Sequence, residues 1–262
     1  MRSGQASVTA QLVAAHRLGF ERLAAPFGDP EADQALQLDV GGERTVDRGT
    51  RMARYLQGRT AFFDRVVLAA IEGGTPQVVV AAAGYDARSL RYAAPGVRWF
   101  EVDHPDTQAD KLARLARLGL DASAVSFVPA DFAVDPIAER LAAAGHRAGE
   151  RSLFLAEGIA VYLDRPVLAR LVTELRATAA PGSRLAISLA TLSVAAGSVA
   201  AETRRRFRTS VAAYGEPAAE TLSVADAMAL FADAGWHLVP SSAPGGASDR
   251  AQSAGLLVLE AR

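Results

Sequence analysis

The stretch VVVAAAGYDARSLRY, Val78 to Tyr92, decides the fold. Its opening run, Val78 to Ala83, is apolar, β-branched at its start and too short for a helix, so it reads as a buried strand. Gly84-Tyr85-Asp86-Ala87-Arg88 breaks that run, and a helix-like segment follows. A strand that turns through a glycine into a helix is a unit of an open α/β sheet. In such sheets ligands sit beyond the carboxyl ends of the strands, where the strand order reverses. The sequence therefore places a ligand site near Gly84.

Outward from that unit, short apolar runs recur with helical segments between them. VRWFEV (Val97 to Val102), VSFVPA (Val125 to Ala130), SLFLAEGIAVYL (Ser152 to Leu163) and RLAISLA (Arg184 to Ala190) read as strands. Helices are expected around 106–118, 134–145 and 164–180, the last opened by Asp164 ahead of Arg165-Pro166 and closed before Pro181-Gly182. Strands that alternate with helices imply a parallel sheet covered on both faces. SVADAMALFADAGW (Ser223 to Trp236) reads as a capped helix, and WHLVP (Trp236 to Pro240) and AGLLVLEA (Ala254 to Ala261) as two final strands. The serine- and glycine-rich linker between those strands suits an antiparallel hairpin at the sheet edge. Ahead of the first strand lie a helix from about Ser7 to Ala25, a loop over Pro26 to Gly42 and a helix from about Asp47 to Ile71.

The composition excludes several functions. With 28 basic against 29 acidic residues there is no net field to hold a polyanion, so nucleic acid is not an expected partner. The absence of cysteine removes thiolate nucleophiles and cysteine metal sites, and His16, His104, His146 and His237 do not pair at metal-ligand spacing. No metal is expected. No run approaches the roughly 20 apolar residues of a membrane span, and the first residues lack the hydrophobic stretch of a signal peptide, so a soluble cytoplasmic protein is expected. The arginine- and alanine-rich composition, with Lys111 the only lysine, suggests a GC-rich bacterial source.

Gly84 stands without the further glycines of a G-x-G-x-x-G loop, which disfavours a nicotinamide dinucleotide. A nucleoside without phosphates remains, and Glu101 and Asp103 end the second strand where an acid takes the ribose hydroxyls. Alone, Gly84 reads as a tight turn and Asp103 as a helix cap before Pro105. Their spacing together favours an adenosyl cofactor.

VVVAAAGYDARSLRY, FEVDHPDTQADK, FVPADF and LFLAEGIAVYL resemble, in order and spacing, the leucine carboxyl methyltransferase-like branch of class I S-adenosylmethionine-dependent methyltransferases, including its bacterial secondary-metabolite members. RTAFFDRVV (Arg59 to Val67) resembles the family's helix ahead of the first strand, and the similarity covers about residues 25–190. The resemblance implies a Rossmann-like α/β fold, doubly wound, with a mostly parallel seven-stranded sheet, helices on both faces and an N-terminal helical lid. It implies one domain over 1–262, with 1–75 as lid and cofactor-capping helix, 76–262 as core and an acceptor-side segment at about 191–222. It further implies S-adenosyl-L-methionine as cofactor and S-adenosyl-L-homocysteine as product. Arg59 would hold the methionyl carboxylate, Glu157 the methionyl amine, Gly84 the methionyl chain and Asp103 the ribose, with Asp131 and Phe132 bracketing the adenine. An arginine fork matches a carboxylate, and a carboxylate inside an apolar strand needs a buried partner or a ligand. The chain departs from the family at Ala81 to Ala83, where relatives often carry another glycine, and at Phe132-Ala133, where leucine-arginine is usual.

The function implied is O-methylation of a carboxylate or hydroxyl on a small-molecule or peptide acceptor. Tyr162 and Tyr85 are candidate walls near the transferred methyl, each equally readable as packing. TRRRFR (Thr203 to Arg208) reads as a solvated basic face, and no catalytic residue is assigned. The alternatives are a methyltransferase-like protein that binds the cofactor without transferring methyl, as a cyclase or binding partner in a biosynthetic pathway, and, ranked last, a nucleotide-dependent oxidoreductase.

Overall fold

A computed structural model describes residues 5–189 and 222–262. The acceptor-side segment and the TRRRFR stretch thus lie outside the described residues, apart from Leu222. Three helices precede the sheet: α1 (Val8–Arg17), α2 (Pro30–Gly41) and α3 (Arg51–Glu72). Then follow β1 (Gln77–Ala81), α4 (Arg88–Arg91), β2 (Arg98–Asp103), α5 (Pro105–Leu118), β3 (Val125–Pro129), α6 (Ile137–Ala143), β4 (Ser152–Ala156), α7 (Arg165–Ala177) and β5 (Arg184–Ser188). After the undescribed stretch come α8 (Val224–Asp233), β6 (Trp236–Leu238), α9 (Asp249–Ser253) and β7 (Leu256–Ala261).

The seven strands lie in the order β3-β2-β1-β4-β5-β7-β6. The first five are parallel, β7 is antiparallel to β5, and β6 returns against β7 at the edge. The α/β reading and the terminal hairpin are therefore as the sequence implies. The order reverses between β1 and β4, since the chain builds β1, β2 and β3 outward on one side before crossing back. That crossing puts the ends of β1 and β4 side by side and makes the crevice between them.

Side chains alternate across the sheet. Val78, Val80, Trp99, Leu153 and Val258 pack beneath Phe62, Phe63 and Val67 of α3. Val79, Phe100, Phe154, Ile187 and Leu259 meet Leu141 of α6, Leu168, Leu171 and Val172 of α7, and Phe231 of α8. The Trp236 indole N–H donates to the Val172 carbonyl at 2.9 Å, pinning the edge strand to α7. A third cluster seats α1 and α2, through Ala14, Leu36 and Val40, on Tyr85, Leu90 of α4 and Leu115 of α5. No helix among the described residues is long and apolar enough to cross a membrane.

Four local readings need correction. The expected loop over Pro26–Gly42 contains α2, whose start has the same chemistry as that of α7: the Asp29 carboxylate accepts from the Glu31 and Ala32 amides, with Pro30 in the first turn. Helix α1 stops at Arg17 instead of reaching Ala25. The long run after Ser152 leaves the sheet at Ala156, because the chain turns at Gly158, where φ is 77°. The 241–253 linker also folds a short helix, α9, capped by Ser248.

Leu171 is 1 % exposed in the larger core cluster. Leu171→Ala is expected to cost about 2–5 kcal/mol by removing buried methylene contacts and leaving a cavity. Urea unfolding checks this: the midpoint falls while the slope is retained, and an unmoved midpoint would contradict the packing described.

Candidate functional site

Four loops meet the carboxyl ends of adjacent strands β3, β2, β1 and β4, and each carries a residue singled out from the sequence. After β1 the chain turns through Ala82 (φ 55°) and Gly84 (φ 51°). The Gly84 amide donates to one oxygen of the Asp103 carboxylate, and the His104 amide donates to the other at 2.6 Å. Burial pushes the Asp103 carboxyl up to about 6, although these two amides and the Lys111 ammonium oppose the rise. Helix α1 lies across this turn: a Cβ built on Gly84 would come within 3.2 Å of the Ala10 Cβ, and the Ser7 amide donates to Thr107 Oγ1 at 3.2 Å.

Glu157 follows β4 and is gripped by three guanidiniums. Arg59 Nε donates to Oε1 at 2.9 Å, Arg88 donates to Oε2 at 2.6 Å, and Arg17 of α1 lies 3.2 Å from the same oxygen. Burial alone would raise this carboxyl, but Arg88, Arg17 and Arg59 overcome it and hold the group well below the usual carboxylate range. Glycine at 158 makes room for this pairing, since a Cβ there would lie 3.0 Å from the Arg59 guanidinium.

Arg88 is fully buried and also bonds Asp64 of α3 at 2.7 Å, the Thr60 carbonyl at 3.1 Å and the Asp86 carboxylate. Asp64 in turn holds Arg22 at 2.7 Å, and Arg22 and Arg91 share Asp33 at 3.1 and 3.0 Å. The cluster thus joins Arg17, Arg22, Arg59, Arg88 and Arg91 to Asp33, Asp64, Asp86 and Glu157, with one guanidinium in excess of the carboxylates.

The sequence-derived residues are thus distributed as follows. Arg59 and Glu157 bond each other, and Gly84 and Asp103 bond each other. Asp131 and Phe132 lie past β3, where the Asp131 carboxylate accepts from the Ala133 amide at 2.9 Å and Phe132 is buried in the core. Glu101 does not reach the strand end with Asp103. It is 1 % exposed, pairs with the Lys111 ammonium and accepts from Ser89 Oγ at 2.6 Å, so it is committed below the site. Tyr85 is turned away from the crevice, buried with its hydroxyl on the Asp110 carboxylate, and both burial and that carboxylate push its pKa up. Tyr162 is half-buried in the turn after Glu157, where its amide donates to the Ile159 carbonyl.

Sequence reasoning missed Arg17, Arg88, Asp64 and Asp86. The signal for two of them was in the stretch first quoted, since Asp86 and Arg88 bracket a turn beside a strand too apolar to solvate them. The other two come from helices whose approach to the strand ends no local pattern encodes.

The model of the leucine carboxyl methyltransferase family matches residues 6–176. The chain belongs to that family. A protein of Parafrankia sp. (strain EAN1pec), provisionally named an S-adenosyl-L-methionine-dependent methyltransferase, is 40 % identical over 172 residues, which cover 64 % of this chain and 55 % of that one. A similarly named protein of Mycolicibacterium gilvum is 40 % identical over 157 residues, covering 59 % and 50 %. The chain spans about half the length of the curated relatives it matches. Among solved structures, a provisionally named methyltransferase of Thermobifida fusca YX superposes with a TM-score of 0.58 at 18 % identity, covering 100 % of this chain and 97 % of that one. An O-methyltransferase family protein of Burkholderia thailandensis gives 0.54 at 16 % identity, covering 81 % and 59 %. At these identities the two structures establish the class I methyltransferase fold.

Ala82 holds a left-handed backbone that costs an L-residue about 1–2 kcal/mol, so Ala82→Gly should stabilise the protein by about 1 kcal/mol after its greater unfolded-state freedom is deducted. A thermal midpoint that fails to rise would show that the turn is unstrained. Asp64→Asn leaves Arg22 and Arg88 short of a buried counter-charge and is expected to cost about 3–5 kcal/mol, read from denaturant unfolding; a loss under 1 kcal/mol would refute that accounting.

Proposed function

We propose that this crevice binds S-adenosyl-L-methionine and that the protein is an S-adenosylmethionine-dependent O-methyltransferase acting on a carboxylate or hydroxyl of a small-molecule or peptide acceptor. One observation carries the reading: a buried acid–base pair, Arg59 with Glu157, stands at the end of β4, while the Asp103 carboxylate is held against the Gly84 amide at the neighbouring strand ends. An α-amino acid group presents one carboxylate and one ammonium, which Arg59 and Glu157 complement charge for charge. Asp103 offers acceptor lone pairs to a ribose diol, the glycine turn leaves space for the chain between, and the family resemblance assigns the adenine to Asp131 and Phe132.

When bound, S-adenosyl-L-methionine supplies an electrophilic methyl on a positively charged sulfur, leaving S-adenosyl-L-homocysteine. The protein's part is alignment and exclusion of water. Arg59, Glu157 and Asp103 fix the two ends of the ligand, and residues 1–75 serve as the lid, with α1 closing over the turn. A carboxylate acceptor is already ionised at neutral pH and needs no base, in keeping with the absence of an assigned catalytic acid or base. The near balance of charge supports a small-molecule or peptide acceptor rather than nucleic acid, and a place in secondary metabolism rests on the sequence resemblance alone.

Calorimetric titration with S-adenosyl-L-homocysteine tests this reading. Binding is expected in the wild type and at least tenfold weaker in Arg59→Ala and Asp103→Ala; no binding in the wild type would defeat the proposal. The pH profile adds a check. Ionised Asp103 is the stronger acceptor for ribose hydroxyls, and burial pushes its pKa up to about 6, so affinity should fall as pH drops through 6, by less than tenfold per unit. Asp103→Asn should flatten the profile over that window.

A further inference from the structure

A second cleft opens at the other end of the sheet. It has a volume of about 490 Å³ and lies between α3 and the segment that leads into β7. Residues that precede strands line it: Gly73 and Thr75 ahead of β1, Arg151 ahead of β4 and Gly182 ahead of β5. The Gly84 turn and Glu157 follow β1 and β4, so five-residue strands, roughly 16 Å of extended chain, separate the two sites. A molecule in this cleft does not touch the methyl-transfer crevice.

The lining has two characters. Its floor is apolar, with Phe62, Val66 and Ala70 of α3 and Leu153 of β4, and the segment 245–251 adds small residues, including Gly246 and Ala251. Its charged lining residues are Arg65, Arg151 and Arg184 against the single carboxylate of Glu260. Arg184 is committed, 3.5 Å from Glu260 and bonded to the Pro244 carbonyl at 3.1 Å. Arg151 has only the Gly73 carbonyl, at 3.3 Å, and Arg65 has no hydrogen-bond or ion-pair partner among the described residues. Two guanidiniums without a carboxylate thus face a cavity whose size suits a small organic ligand and is far below a protein footprint.

We propose that this cleft is a second binding site, selective for a small apolar carboxylate whose body lies on Phe62, Val66 and Leu153 and whose head bridges Arg65 and Arg151. The apolar floor contributes affinity by burial, and the guanidinium pair selects the acid over its neutral amide or ester. This site stands apart from the cofactor reading and holds whether or not the crevice binds S-adenosylmethionine.

Octanoate, below its micellar range and at pH 7.5, is a suitable probe, with octanamide as its uncharged counterpart. Calorimetry or ligand-observed NMR on the full chain is expected to show saturable octanoate binding, with octanamide at least tenfold weaker. Arg65→Ala/Arg151→Ala should weaken octanoate at least tenfold by removing the head contacts, and Ala251→Leu should do so by filling the cleft. The arginine variant should keep a wild-type thermal midpoint, because both positions are exposed. Asp103→Ala, at the opposite end, should leave octanoate affinity unchanged. Absence of saturable binding, equal affinity for octanamide, indifference to both cleft variants or loss in Asp103→Ala would each overturn the proposal.

Discussion

The guanidinium of Arg88 constrains more of this structure than any other group. It is wholly buried, and its partners come from different elements: Asp64 and the Thr60 carbonyl from α3, Asp86 from its own turn and Glu157 from the end of β4. Removing a guanidinium from water is costly, and that cost is offset only when several acceptors sit in the plane of its fork. The helix ahead of the sheet, the first turn and the fourth strand must therefore arrive together. As a source of net stability such a cluster is weak, because well-packed apolar groups would serve about as well. As a constraint on position it is strong, and the position it fixes is that of Glu157 and, through it, Arg59.

The same logic acts one strand over at a smaller scale. Glu101 and Asp103 point to the same side of β2, separated by one pleat. Glu101 sits one level down, where α4 and α5 cover it, and Lys111 and Ser89 satisfy it. The Lys111 ammonium also bonds the Asp86 carbonyl, so this pair braces the first turn from below. Asp103, at the rim, has two backbone amides on its carboxylate, and burial raises its pKa in spite of them. Depth alone thus makes one carboxylate structural and leaves its neighbour available to a ligand.

This explains what the sequence could and could not reveal. Strand runs such as Val78 to Ala83 are legible because burial on both faces forces continuous apolar residues. Helix α7 is legible from Asp164 and Pro166, and α2 carries the equivalent Asp29-Pro30 signal, obscured by the nearby Pro26, Gly28 and paired Gly41-Gly42. Gly84, Asp103 and Glu157 were readable because each breaks its local pattern at a strand end. That Glu101 is committed to Lys111 and Ser89 was not readable, since it depends on how far along β2 the covering helices reach. Arg17 and Asp64 were invisible for a related reason: a charged residue on an amphipathic helix looks solvated until the helix is docked. The arginine-lined cleft is likewise a product of packing, assembled from residues distant in sequence.

The departures from local preference gather at one end of the molecule. Ala82 takes a left-handed backbone without being glycine, Asp103 holds a carboxyl in surroundings that oppose its ionisation, and Glu157 is buried at the end of an apolar strand. At Ala82 the cost is one that folding alone does not require, for a glycine would avoid it, whereas Glu157 also serves as counter-charge to Arg88. At the β6–β7 edge, by contrast, the terminal hairpin is set by alternation and an indole hydrogen bond, with no residue of that kind. Costs that are concentrated where the parallel strands end, and where the strand order reverses, are what a binding site selects and a scaffold does not. That concentration is a physical reason, independent of resemblance, to place the chemistry between β1 and β4.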